Sequence, residues 1–108
     1  MPGVNIIPQT TLLTNASVNA ASTFTLSATA GKIYRIYRVF IVISAAGTVQ
    51  FQDGANNLTG AIPLNINGQI FLDHSGDPYF TCTSGNAFNI VASAGVINGF
   101  VSHTLMNI

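Results

Sequence analysis

The sequence predicts an all-β protein, an antiparallel eight-stranded sandwich behind an extended N-terminal arm. Helix signals are nearly absent: the chain has three Lys and Arg residues in total and no glutamate, and no window repeats apolar residues at three-and-four spacing behind a capping residue. β-branched and aromatic residues recur instead in short runs, separated by Gly, Asn, Asp, Ser and Pro at the spacing of a sandwich or barrel.

Residues 1–21 carry Ile6, Ile7, Leu12 and Leu13 without a strand-length alternation, punctuated by Pro2, Gly3 and Pro8. They are expected to form an arm that packs on another surface, because four large aliphatic side chains argue against a frayed terminus. The sandwich domain is expected over residues 22–108. Its first run is Ser22 to Ala28, where Phe24 and Leu26 alternate with Thr and Ser. The longest, Lys32 to Ser44, follows the break at Thr29-Ala30-Gly31. Thr48 to Gln52 comes third and closes on the turn Asp53-Gly54-Ala55-Asn56-Asn57, whose Gly and Asn tolerate positive φ. Leu58 to Asn65 contains Gly60 and Pro63 and reads as an edge or bulged strand, since proline cannot donate to a ladder. Gln69 to Leu72, Tyr79 to Cys82, Ala87 to Ala92 and Val96 to Leu105 complete the eight, each set off by a Gly-containing loop. Eight short strands with no room for a helix suit a jelly roll, with an immunoglobulin-like sandwich as runner-up.

Composition narrows the function. Three cations against three anions give no net charge, a poor footprint for phosphate neutralisation, so nucleic acid is not an expected partner. No segment is long and apolar enough to span a membrane, and the N-terminus lacks the basic start and unbroken apolar run of a signal peptide. One cysteine, Cys82, builds no disulfide framework and fits a reducing cytoplasm. With 6% charged residues, against about 25% usually, the surface must be built from Asn, Thr, Ser, Gln and Gly. Such a surface repels its copies weakly and suits a place inside an assembly.

Catalysis is starved of parts. A nucleophile needs a base in reach and a group to orient it, yet the chain has only His74 and His103, and Gly-x-Ser-x-Gly does not occur. Asp73, His74 and Asp77 share a loop and could hold a metal, but a solvated turn explains them as well. Asp53, Asp73 and Asp77 all fall in or beside turns rather than across a cleft as glycoside hydrolysis requires. Cys82 reads as a small buried hydrophobe. No enzyme, metal or cofactor is expected.

The long strand is the informative feature. Both of its faces become apolar after Arg38, and the last run repeats the symptom. One face of a sandwich strand meets the opposite sheet and the other meets water, so a doubly apolar stretch needs a second cover. The expectation is a subunit interface made by Val39, Phe40, Ile41, Val42, Ile43, Val96, Ile97, Phe100 and Val101 in a symmetric homo-oligomer. Cover by the chain's own arm is the alternative.

Gly31 to Leu105, about two thirds of the chain, resembles small virion structural proteins of tailed bacteriophages. The resemblance rests on a Gly31-Lys32 strand, Ala45-Ala46-Gly47-Thr48-Val49 followed by Phe51, and Leu58-Thr59-Gly60 followed by Ile62-Pro63-Leu64. It continues through Asn67-Gly68, Asp77-Pro78-Tyr79-Phe80 and the terminal strand from Val96 through Gly99. It implies a jelly roll acting as a capsid decoration or cement protein, commonly trimeric. The partner would be the major capsid protein, met by the arm residues Ile6, Ile7, Leu12 and Leu13. The place would be the virion surface, after synthesis in the host cytoplasm. A carbohydrate-binding or tail-fibre module is the rival, with Tyr34, Tyr37, Tyr79 and Phe80 as possible sugar platforms in a chain without Trp.

Overall fold

A computed structural model describes residues 13–73 and 77–107. Among them are ten strands and no helix: β1 (Thr14–Ala21), β2 (Thr23–Leu26), β3 (Lys32–Ile43), β4 (Gly47–Asp53), β5 (Asn56–Asn57), β6 (Ile62–Leu64), β7 (Gln69–Asp73), β8 (Phe80–Thr81), β9 (Phe88–Ala92) and β10 (Ile97–Asn107). They form two antiparallel sheets. The first has the order β1-β10-β3-β7, with β8 also on β3; the second has the order β2-β9-β4-β5, with β6 also on β4.

Two expectations are corrected. Residues 14–21 are not arm: they form β1, which pairs with β10 from Thr14↔His103 to Val18↔Gly99 and seals Val18 in the core. The alternation is weak in the sequence because most of β1 is Thr, Asn, Ala and Ser, small residues that suit an exposed edge strand. The count of eight becomes ten among the described residues, through β1 and the two-residue β5. Ile6, Ile7 and Leu12 lie outside the described residues, and Leu13 is exposed just before β1.

The core is the layer between the sheets. From β3 it takes Tyr34, Ile36, Val39, Ile41 and Ile43, a set that changes from even to odd positions within one strand. The cause is a bulge. Ser102 of β10 lies opposite Arg38 and His103 opposite Ile36, which leaves Tyr37 as the extra residue and shifts the pleat by one. Val39, Ile41, Ile43, Ile97 and Val101 are fully buried against the second sheet, so these five expected interface residues belong to the chain's own core. Each such burial contributes about 1.5–3 kcal/mol. Across the layer Phe80 of the first sheet meets Phe51 and Phe88 of the second, with ring centroids 5.4 and 6.1 Å apart. These contacts fasten the sheets beyond what their buried area supplies.

Gly99 has no substitute at its position. Its φ is 148°, and an added Cβ would run into the backbone of Phe40 on the adjacent strand. At one end of the sandwich the β3–β4 and β9–β10 loops clasp each other reciprocally. Ser44 N–H donates to Val96 O while Ser44 Oγ accepts from Val96 N–H; Ser93 N–H donates to Thr48 O while Ser93 Oγ accepts from Thr48 N–H. Gly47 and Gly95 make room for this, since a Cβ on either would meet the opposite serine hydroxyl at 2.7 and 2.6 Å.

Candidate interaction surface

The outward face of the first sheet is ordered in rows by its register. Phe71 of β7, Phe40 of β3 and Phe100 of β10 lie directly opposite one another, with Ser17 of β1 completing the row. Ring centroids are 6.2 Å apart for Phe40–Phe71 and 6.1 Å for Phe40–Phe100, so the rings form a continuous aromatic stripe. Phe71 is 61% exposed. Val42 sits one row away between Gln69 and Asn98. Of the nine expected interface residues, Phe40, Val42 and Phe100 therefore share the outward face, while Val96 is half-buried in the loop before β10. Phe71 was not singled out from sequence. Its signal was the alternation of Gln69 to Leu72, in which Phe71 takes the parity opposite to Ile70 and Leu72.

On the other side of the stripe the rows turn polar. Asp73, Arg38, Ser102 and Asn15 form the next row, where Arg38 Nε donates to Asp73 Oδ1 at 3.0 Å and Ser102 donates to Asn15 Oδ1. Both ends of the ion pair are well exposed, so it contributes at most about 1 kcal/mol. Past the bulge come Thr81, Arg35 and Thr104. The Nε of Arg35 and the hydroxyl of Thr104 are buried without a hydrogen-bond partner.

The second sheet's outer face is mostly amides and hydroxyls, with Val91 between Thr23 and Gln50. Thr25 Oγ1 donates to Asn89 Oδ1 at 2.9 Å and Gln52 Nε2 to Asn57 Oδ1 at 3.1 Å, and none of its strands places a charge there. The charge-poor surface foreseen from composition is concentrated on this side.

Among the described residues, those weighed for chemistry are engaged in structure. Asp53 is 7% exposed and accepts from Thr83 N–H at 2.9 Å, Thr83 Oγ1 at 2.7 Å and Asn86 Nδ2 at 3.0 Å, tying the loop after β8 to the end of β4. Burial pushes its carboxyl up, but these hydrogen bonds outweigh burial and hold it below the ordinary carboxylate value. Burial, helped by the charge of Asp53, drives the Cys82 thiol up to about 12, so it carries no reactive thiolate. His103 packs against Tyr34 with ring centroids 5.6 Å apart, and burial holds its pKa below the usual value against an opposing hydrogen bond with the Val101 backbone. Asp73 is paired with Arg38, and His74 lies outside the described residues. Among the described residues no group of three His, Cys, Asp or Glu could hold a metal ion, and no helix is long and apolar enough to cross a membrane.

The sugar-stacking candidates fare unevenly. Tyr34 is buried, its hydroxyl donating to Ser27 O at 2.7 Å, and Phe80 belongs to the aromatic core. Tyr37 is half-buried at the bulge, and Tyr79 is exposed with Phe80 against its edge. Tyr34, sealed in the core, is not available as a platform. No protein-family model, curated protein or solved structure matches the chain.

Proposed function

We propose that this chain is a non-enzymatic virion structural protein of the capsid decoration type, a jelly roll held on a phage head shell through the outward face of its first sheet. The observation that carries the proposal is the aromatic stripe of Phe71, Phe40 and Phe100, in register across three strands. A contiguous apolar row rimmed by polar residues marks an association surface.

The jelly-roll reading is supported by nesting. β1 pairs with β10, β2 with β9, β3 with β7 and β8, and β4 with β5 and β6, the pattern of one long hairpin. The further ladders β10·β3 and β4·β9 are those that rolling this hairpin into a sandwich would add. The sparse charge and the resemblance of Gly31 to Leu105 to tailed-phage virion proteins support the place in a particle. Copies gather on the shell, three about an axis by expectation, where joint engagement multiplies a modest contact.

The test is co-sedimentation of the full chain with purified head shells of the phage that encodes it, beside light scattering behind a sizing column. Saturable binding that Phe71→Ser weakens at least tenfold supports the reading. A chain that stays in the supernatant at micromolar concentration contradicts it.

A further inference from the structure

The sequence holds two Asn-Gly pairs, Asn67-Gly68 and Asn98-Gly99. A glycine after asparagine leaves the side-chain amide open to attack by the next backbone nitrogen, because no Cβ stands in the way. The fold itself selects the first pair. Asn67 is the third residue of the turn Asn65-Ile66-Asn67-Gly68, which Gly68 N–H closes by donating to Asn65 O at 2.8 Å, and its φ is 63°. That conformation favours Gly, Asn or Asp. A Cβ on Gly68 would lie 2.8 Å from Asn65 O and 3.0 Å from Leu64 Cβ, so glycine suits the next position. The two pairs differ in what must open before they can react. Asn67 is exposed in the turn between β6 and β7, and freeing it undoes the bond to Asn65 and two bonds to the end of β3: Asn67 N–H to Ile43 O at 2.8 Å and Ile43 N–H to Gly68 O at 3.0 Å. Asn98-Gly99 lies inside the first sheet, with Asn98 opposite Val42 and Gly99 opposite both Val18 and Ile41. Asn98 Oδ1 also accepts from Ala20 N–H at 2.8 Å. Opening a turn is a local event, whereas opening β10 between its two neighbours takes the sheet apart.

We propose that Asn67 is a spontaneous modification site, deamidating in the folded chain through a cyclic imide with Gly68 while Asn98 is spared. When the turn opens, the Gly68 nitrogen gives up its proton to solvent base and attacks Asn67 Cγ. A carbon–nitrogen bond forms there, and the side-chain nitrogen takes up a proton and leaves as ammonia. Water then opens the imide. Entry at Cγ gives aspartate on the original main chain; entry at the backbone carbonyl gives isoaspartate, whose main chain runs through Cβ and the former side-chain carbon. The net change is asparagine plus water to ammonia plus acid, with no oxidant or reductant. Both products add a carboxylate to a chain that has only three. The isoaspartate form also lengthens the main chain between Asn67 N and Gly68 O, the two atoms that bond Ile43. It therefore loosens the end of β3 and the start of β7, the strand that carries Phe71.

The test is to age the full chain in warm, mildly alkaline buffer, folded and in denaturant, and to digest samples with a protease that cuts before aspartate. The cuts place Asn67 in the peptide 53–72 and Asn98 in the peptide 77–108, and mass spectrometry reads the gain of an amide turned into an acid. In the folded chain the gain should accumulate in the Asn67 peptide roughly tenfold or more faster than in the Asn98 peptide, and in denaturant the two rates should converge. Asn67→Gly, which keeps the positive φ and removes the amide, should abolish the gain in the first peptide, and fragmentation of the wild-type peptide should place it on Asn67 directly. Thermal melts should show the aged chain unfolding earlier than fresh protein, while Asn67→Asp, with the charge but the ordinary main chain, melts close to wild type. Equal rates for the two peptides in the folded chain, a gain confined to denaturant, or a gain that fragmentation places on another asparagine would each overturn the inference.

Discussion

Two buried titratable residues tie stability to pH, and both act on the acid side. His103 binds a proton less readily in the fold than in the unfolded chain, because burial disfavours the imidazolium. Its stabilising effect is whole above the ordinary histidine value of about 6.5 and is lost as pH falls through the lower folded value. Asp53 behaves alike at lower pH: its hydrogen bonds favour the carboxylate, so its effect is whole above about 3.9 and fades as pH drops through the depressed folded value. Thermal melts of the full chain should therefore hold steady at neutral pH and decline in two acid steps. His103→Gln should remove the first step. Asp53→Asn should remove the second and lower the neutral-pH stability by about 1–3 kcal/mol, since Thr83 and Asn86 would lose a charged acceptor. Destabilisation on raising the pH through neutrality would contradict both assignments.

At the scale of the element, the bulge in β3 decides what each face presents. Strict alternation along Lys32 to Ser44 places Arg35 and Arg38 on opposite faces, which would bury one of them. The extra residue at Tyr37 turns both outward and lets Tyr34, Ile36, Val39, Ile41 and Ile43 face inward together. Two arginines three positions apart in an apolar strand were thus a legible sign of a bulge. Period-two reading misses it and reports two apolar faces where there is one core face and one stripe. Most strand positions were legible because Val, Ile and Phe alternate clearly between glycine turns. β1 was not, since its Thr, Asn, Ser and Ala residues owe their strand to pairing with β10 rather than to their own propensity. Nor was the reciprocal loop clasp, whose signal is the paired Ser44-Ala45-Ala46-Gly47 and Ser93-Ala94-Gly95. Ser44→Ala and Ser93→Ala should each cost about 1 kcal/mol in denaturant unfolding. The double variant should depart from additivity by about 0.5 kcal/mol or more, because the two loops hold each other in place. Strict additivity would show two independent turns.

For the whole molecule, the sandwich is asymmetric in what it offers to neighbours. One outer face is a hydrogen-bonded field of amides and hydroxyls without charge, and the other carries three phenylalanines in register beside two arginines. The expectation of more apolar sheet than one chain can hide survives only in reduced form. Five of the nine residues on which it rested are core and Val96 lies half-buried in a loop, so the outward face keeps Phe40, Val42 and Phe100 and gains Phe71. The candidate surface was legible only in part for this reason: whether an apolar strand residue faces the core or a neighbour depends on the registers of β7 and β10, and no single run contains that information. The most direct test is an electron cryomicroscopy map of head shells saturated with the protein. The account predicts Phe71, Phe40 and Phe100 against the shell with the amide and hydroxyl face toward solvent; a map with the phenylalanine stripe turned to solvent would contradict it.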